Sequence, residues 1–598
     1  MPPDPVAPLL HQAEALLAAR RLDQAKGSLA RALLRFPGDA RLHKLNCYVL
    51  SMLGEFEAAV ASGERARKAF SDHADLLVNL GSALTALDRV REALPLFEAA
   101  LAAAPHNLDA RARLCSLLLI GKQFVRAEAE SRKALALHPT NPSLLRAHAA
   151  ALRQLGRLDD GLRLLQRAVS MHPADPALLS DLCATLTYTT AETPQAVFAT
   201  HRAFGDLLDR LAAAQGPPPA HANIPDPERR LRIGFVSPDL RRHPITVFLK
   251  PLLRGIDRGH FDTICYSTGG QEDDITRELR PMAALWRRLP HASPTELAEA
   301  IRADAVDILF DLSGHSGGHA LAAFQRKPAP IQITWIGFPN TTGLKQMDFR
   351  LVDSTTDPPE FDRFAVERLM RIDPVYLCYA PDPSAPPVRD APSTRGAPFT
   401  FGSYNNLAKF DEPVVALWSR LLRRVPGSRL ALKHSGLTDP GVAPLMASRF
   451  ERHGIAPERL WLTPPSRTFA DFLDAYNDVD LALDPFPFNG ATTTCDALFM
   501  GCPVLTLRGD RPAARVCESI LRCVGLDALV AEGEEDYLAI AADLAASPPR
   551  LAALRSGLRE RVLASPLCDE PGFCRRLERA LRVAWREYCA RPPATIPA

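Results

Sequence analysis

The stretch FNGATTTCDALFMG (488–501) places Gly490, Ala491 and three consecutive threonines, Thr492, Thr493 and Thr494, ahead of an apolar run that includes Asp496. Small residues let a bulky anion approach the backbone, and the unbonded amides at a helix start attract it. The stretch reads as a pyrophosphate cradle; the same residues also suit an ordinary capped helix. Further upstream, NNLAKFDEP (405–413) sets Lys409 close to Asn405 and Asn406. An ammonium there would neutralise charge growing on a departing diphosphate, although a solvated lysine at a helix start gives the same pattern. SPDLRRHP (237–244) carries His243 before a proline. That imidazole could donate to a phosphate or an acceptor hydroxyl, act as general acid or base, or be structural. DLSGHSGGH (311–319) adds Asp311, His315 and His319 on a glycine-rich loop, and NDVDLALD (477–484) holds Asp478 and Asp480 at a metal-site spacing. The second pattern also fits a helix end running into a strand, the reading preferred here.

Chemistry of this kind needs rigid elements to aim it. LRIGFVS (231–237), VDILFDLSG (306–314), IQITWIGFP (331–339) and FRLVDS (349–354) form one series of buried strands. FTFGSYN (399–405), SRLALKHSG (428–436), RLWLTPP (459–465), VDLALDPF (479–486) and PVLTLRG (503–509) form a second. Helical stretches between the strands imply parallel sheets. Two such units predict two Rossmann-like domains facing a cleft, with ligands beyond the carboxyl ends of the strands. The candidate residues lie in segments that follow strands.

The front of the chain obeys a different period. Ala32, Ala66, Ala100, Ala134 and Ala168 are each 34 residues apart; Ala25, Ala59, Ala93, Ala127 and Gly161 form a second register, and Pro37, Pro105, Pro139 and Pro173, with Ser71 in the missing slot, a third. That is the tetratricopeptide repeat, two helices per unit stacked into an α superhelix with a concave binding face. The array could instead dimerise the chain or act as a spacer. No row of asparagines recurs to grip a peptide backbone. The expected organisation is a repeat array over 1–190, a linker over 191–230, a first lobe over 231–380, a second linker over 381–398, and a second lobe with C-terminal helices over 399–598.

Composition narrows the class. Over 598 residues, 47% are hydrophobic and 23% charged, with a net charge of +2. Such a balance gives no strong pull toward nucleic acid or membrane. No apolar run reaches the length needed to span a bilayer. The 12 cysteines are scattered without a CxxC, the pattern of buried thiols in a reducing cytoplasm rather than of a zinc site.

Taken together, RIGFVSPDLRRHP, RKPAPIQITWIGFPNTTGLKQMDFRLVDSTTDPP, FGSYNNLAKFDEP and DLALDPFPFNGATTTCDALFMGCPVLTL resemble the O-GlcNAc transferase/SPINDLY family of protein glycosyltransferases, over nearly the whole chain. The resemblance implies a GT-B fold and transfer of one sugar from a nucleotide donor to a serine or threonine hydroxyl. It implies no metal and no cofactor, the nucleotide sugar being a substrate. By the same resemblance His243 lies near the reacting centre, Lys409 contacts the donor diphosphate, Thr492 and Thr493 bind it through hydroxyls and amides, and Asp496 holds the ribose. Asn406 takes the place of a glutamine of the O-GlcNAc transferases, and Ala491 that of a histidine. Phe469 and Phe472 stand roughly where those enzymes carry a lysine and a histidine, with Arg467 nearby as a source of charge. NNLAK, WIGFPNTTGL and TTTCDALFMG are nearer to the SPINDLY branch. The donor is therefore UDP-GlcNAc, the general family expectation, or GDP-fucose. Partners would be protein or peptide acceptors on the repeats, and a homo-oligomer would fit a dimerising array. A carbohydrate glycosyltransferase, a sugar-nucleotide epimerase and a non-catalytic repeat scaffold are the rivals.

Overall fold

The computed structural model describes residues 4–214, 216 and 218–591. The chain divides into two compact units, 1–151 and 152–598.

In the first unit, helices Ala7–Ala18, Leu22–Arg35, Ala40–Met52, Phe56–Arg67, Ala74–Ala86, Val90–Ala103, Leu108–Ile120 and Phe124–Leu137 alternate with short turns, and helix Pro142–Gln154 runs across the boundary. Ala25, Ala59, Ala93 and Ala127, with Ala32, Ala66, Ala100 and Ala134, are buried where helices cross. The 34-residue period also governs the turns. Residues 20, 54, 88, 122 and 156 all have positive φ, yet only Gly54 and Gly156 are glycines; Arg20, Asp88 and Lys122 accept the left-handed conformation. The residue preceding each first helix follows the same spacing. Asp39, Asn107, Asn141 and Asp175 accept from backbone N–H groups two or three residues ahead. Each such cap contributes about 1 kcal/mol.

The second unit opens with helices Leu158–Met171, Pro176–Leu186 and Pro194–Ala213. The last of these corrects the expected linker over 191–230. Thr193 caps it by accepting from Ala196 N at 3.3 Å, and Pro194 supplies a fixed φ at its first position. Two parallel sheets follow. The first has strands β1 (Leu231–Ser237), β2 (Phe261–Ser267), β3 (Leu285–Arg288), β4 (Ile308–Asp311), β5 (Ile331–Thr334), β6 (Phe349–Val352) and β7 (Arg368–Arg371), in the order β3-β2-β1-β4-β5-β6-β7. The second has β8 (Thr400–Ser403), β9 (Arg429–Lys433), β10 (Leu460–Thr463), β11 (Leu481–Leu483), β12 (Val504–Leu507) and β13 (Val530–Ala531), in the order β10-β9-β8-β11-β12-β13. Their registers are parallel throughout, with Ile233 opposite both Thr263 and Ile308, and Phe401 opposite both Leu430 and Leu481. Strand order reverses between β1 and β4 and between β8 and β11, the positions at which such sheets bind ligands.

The lobes are tied by more than the chain between them. Helix Glu570–Cys589 returns to the first lobe, where Arg254 Nε donates to Glu570 Oε1 at 3.0 Å and Trp585 Nε1 to Asp226 O at 2.8 Å. Ser519 Oγ donates to Asp353 Oδ2 at 2.6 Å across the lobe boundary. Helix 194–213 lies backbone to backbone on the 341–344 turn: a Cβ on Gly205 would sit 1.8 Å from Gly343 O.

Candidate active site

The segments after β8 and β11 meet. Residues 407–409 form a single 3₁₀ turn after β8, with Asn406 as its cap, accepting from Ala408 N at 3.1 Å. The turn sends Lys409 toward the 484–491 loop, where its Nζ donates to Asn489 O at 2.7 Å and Asn405 Oδ1 at 3.2 Å and lies 4.4 Å from the centre of the Phe488 ring. Burial pushes the Lys409 ammonium down from the usual lysine range, and the Asp484 carboxylate opposes that shift.

Helix Thr492–Phe499 starts directly after that loop, behind Ala491. Its threonines have different tasks. Thr493 Oγ1 donates to Asn405 Oδ1 at 3.1 Å, Thr494 Oγ1 turns back to Gly490 O at 3.0 Å, and Thr492 and Thr493 line an open cavity of about 430 Å³. A Cβ on Gly490 would meet Thr493 Oγ1 at 2.3 Å, so glycine permits this packing. Asp496 faces the same cavity although the residue is only 3% exposed, and it accepts from the Tyr379 hydroxyl at 2.7 Å. Burial raises this carboxyl to about 7.

His243 lines the cavity from the first lobe. It caps helix Pro244–Gly255, its Nδ1 accepting from Ile245 N at 3.4 Å, while Nε2 stands 3.8 Å from Asp239 Oδ2. That cap puts the proton of the neutral ring on Nε2, so the ring presents an N–H. Burial lowers the imidazole, against the pull of Asp239. Phe469 and Phe472 form another wall, stacked with ring centres 5.7 Å apart, whereas Arg467 is exposed.

The structure thus brings His243, Thr492, Thr493 and Asp496 around one cavity, with Lys409 joined to Thr493 through Asn405. Asn406 and Thr494 serve the local backbone. Sequence reasoning passed over two participants, Tyr379 and Asp484, and placed two adjacent asparagines beside the lysine without choosing the one that reaches it. Asn405 rather than Asn406 bridges the lysine and the threonine. Tyr379 holds Asp496 from a segment with no motif of its own. Asp484 reads as a strand end, yet its buried carboxylate accepts from Gly490 N at 2.7 Å and Thr506 Oγ1 at 2.8 Å.

The other candidates are structural. Asp480 accepts from Ser393 N at 3.0 Å and Thr400 N at 2.7 Å, and Asp311 from Ser313 N, Gly314 N and Thr334 Oγ1. Among the described residues, one group able to ligate a metal gathers: Cys183, His201 and His315. Both nitrogens of His315 are engaged there. Nε2–H donates to Thr342 O at 3.0 Å, and Nδ1 accepts from Ser180 Oγ at 2.8 Å. His319 Nε2 lies 2.9 Å from the same Ser180 oxygen, and the Phe204 and Phe338 rings pack against His315. The group is a packed joint between the last repeat helices and the first lobe.

The model of glycosyl transferase family 41 matches residues 173–378 and 395–577, and tetratricopeptide repeat models match 49–107, 78–142 and 142–185. A Petunia hybrida protein described as a probable UDP-N-acetylglucosamine–peptide N-acetylglucosaminyltransferase SPINDLY is 38% identical over 408 residues, covering 68% of this chain and 44% of the relative. Its Arabidopsis thaliana counterpart is 36% identical over 397 residues, 66% of this chain and 43% of the relative. The chain spans less than half the length of these curated relatives. The solved structure of a mutant Thermobaculum terrenum O-GlcNAc transferase superposes with a TM-score of 0.82 at 35% identity, covering 87% of this chain and 98% of that one. The two-lobed fold is GT-B, preceded by the repeat superhelix.

Proposed function

The chain belongs to glycosyl transferase family 41, and from that premise we propose that it moves one sugar from a nucleoside-diphosphate donor to serine or threonine hydroxyls of proteins. The observation that carries the reading is the convergence, after β8 and β11, of Lys409, Asn405, Thr493 and the start of helix 492–499. Diphosphate released from an anomeric carbon gathers negative charge as the bond breaks. A fixed ammonium and helix amides stabilise that charge more in the transition state than in the ground state. They supply the positive potential that a metal ion supplies elsewhere.

The donor lies in the 430 Å³ cavity, its ribose hydroxyls on Asp496 and its diphosphate near Thr492, Thr493, the Ala491 backbone and Lys409. The acceptor hydroxyl attacks from the opposite face and inverts the anomeric carbon. His243 directs Nε2–H at the acceptor or a phosphate, and a donor phosphate oxygen takes the hydroxyl proton. Protein acceptors are chosen by the repeat array, and the work is done in a reducing, cytoplasmic compartment in keeping with 12 cysteines outside any disulfide.

The relatives' names specify UDP-N-acetylglucosamine. The Phe469–Phe472 wall, in the place of charged residues of the O-GlcNAc transferases, keeps GDP-fucose as the second donor. Thermal shifts with UDP, GDP, UDP-GlcNAc and GDP-fucose, followed by radiolabel transfer to proteins and to glycans, test both choices. Stabilisation by one nucleotide with label on protein is the expected result. No stabilisation by any of the four, or label on glycans alone, overturns the proposal.

A further inference from the structure

The peptide bond between Asn489 and Gly490 lies between opposite charges. Its carbonyl oxygen accepts from Lys409 Nζ at 2.7 Å, and its N–H donates to Asp484 Oδ1, also at 2.7 Å. A trans peptide sends these two groups in opposite directions. Ammonium, peptide dipole and carboxylate therefore stand in series, each polarising the next. Asp484 is 1% exposed, and its other oxygen is held by Thr506 Oγ1 at 2.8 Å. Asn489 is fixed as well: its N–H donates to Ala513 O at 2.9 Å and its Nδ2 to Pro485 O at 3.0 Å. A buried anion behind a loop meant for diphosphate would oppose binding unless its charge were spent on another group.

We propose that Asp484 is a positioning residue that acts through the Asn489–Gly490 peptide, holding Lys409 protonated and in place before the donor arrives. The inference rests on the diphosphate reading given above. It gives the carboxylate a task beyond the fold: the ammonium is charged and oriented in the empty cleft and need not take up a proton when a nucleotide binds.

The other titratable groups that face Lys409 and Asp484 stay uncharged near neutrality, and Asp496, raised to about 7, faces the cavity instead. Cys517, on helix Val516–Cys523, faces both, and burial pushes its thiol well above the usual range. The Tyr537 phenol, on helix Glu534–Ala546, faces Asp484 and is raised likewise. Burial drives Lys409 down and Asp484 up, and each opposes the other's shift. The sign follows. Lys409 is charged below its own pKa, so function that needs the ammonium is lost as pH rises through it; removing the carboxylate moves that loss to lower pH.

Two readouts test this on the full chain. Competitive acetylation with acetic anhydride, resolved by mass spectrometry from about pH 6 to about pH 10, reports the Lys409 inflection in the free protein. Titration with UDP and GDP across the same range reports nucleotide affinity. In Asp484→Asn the inflection should fall by about one pH unit, with affinity about tenfold weaker on the alkaline side and little changed on the acid side. Asp484→Glu should restore part of the shift. Should Asp484→Asn fail to fold, Thr506→Val keeps the carboxylate but removes a hydroxyl that favours its ionised form, and should move the inflection the same way by less. An unchanged inflection with binding weakened equally at every pH overturns the proposal. A wild type that binds neither nucleotide, but whose inflection still falls in Asp484→Asn, overturns the transfer reading and upholds the relay.

Discussion

The Tyr379 hydroxyl donates to Asp496 Oδ1 at 2.7 Å and joins the segment leaving the first lobe to helix 492–499 of the second. Burial raises the Asp496 carboxyl to about 7, and this hydrogen bond acts against the rise. Tyr379→Phe should push the carboxyl higher still. A carboxylate is the better acceptor for ribose hydroxyls, so nucleotide affinity should fall as pH drops through the carboxyl's pKa, and that fall should begin at higher pH in the variant. Calorimetric titration at about pH 6 and about pH 8 should give a loss of about tenfold or more, larger at the lower pH. Equal affinity at both values would remove Tyr379 from the site.

Lys409→Ala should lower kcat for sugar transfer by about 10²–10³, the usual consequence of losing one fixed charge-stabilising donor. Radiolabel transfer measured beside circular dichroism separates this from misfolding. Wild-type turnover in a folded variant would refute the role given to the lysine.

Gly490→Ala tests the cradle without changing any charge. The new methyl would stand 2.3 Å from Thr493 Oγ1 and 3.1 Å from Asn405 Oδ1, so the Thr493–Asn405 hydrogen bond must break or the loop must shift. Nucleotide affinity should fall about tenfold while stability drops by no more than about 1–3 kcal/mol. Unimpaired binding would mean that no ligand depends on this contact.

Acid should loosen the joint around Ser180. Burial pushes His201 down to about 4 and His315 well below the usual imidazole range, with no partner for His201 Nε2 among the described residues. Between the ordinary imidazole value, about 6.5, and about 4, the unfolded chain binds protons that the folded chain refuses, so stability falls as pH falls. Melting temperatures at about pH 7.5 and about pH 5 should therefore diverge, and His201→Leu should narrow the gap. A gap as wide in the variant would show that the acid sensitivity lies elsewhere.

Much of this was legible from residue spacing. The 34-residue registers predicted a superhelix whose crossing alanines are buried, and the candidates after β1, β8 and β11 fall at the reversals of strand order. What escaped depends on the third dimension. Asn405 and Asn406 are adjacent, and only the 3₁₀ turn decides which of them meets Lys409. Tyr379 acquires its role where the chain passes between lobes. Helix 194–213 has ordinary start signals, but it falls outside the repeat registers, and its sequence alone reads as linker. Strands β2, β3, β7 and β13 were not read: β3 and β7 are short edge strands bearing arginines and β13 has two residues, while β2 is buried with no motif beside it.

Helix 194–213 meets the 341–344 turn with no room for a single methyl, and Arg511 clasps the carbonyls of Thr189 and Glu192 at 3.0 and 2.9 Å. These final helices behave as a socket built into the two-lobed body. On the proposed function, chimeras meant to exchange acceptor choice should therefore be spliced ahead of residue 152, and a cut made downstream would carry away part of the two-lobed body together with the repeats.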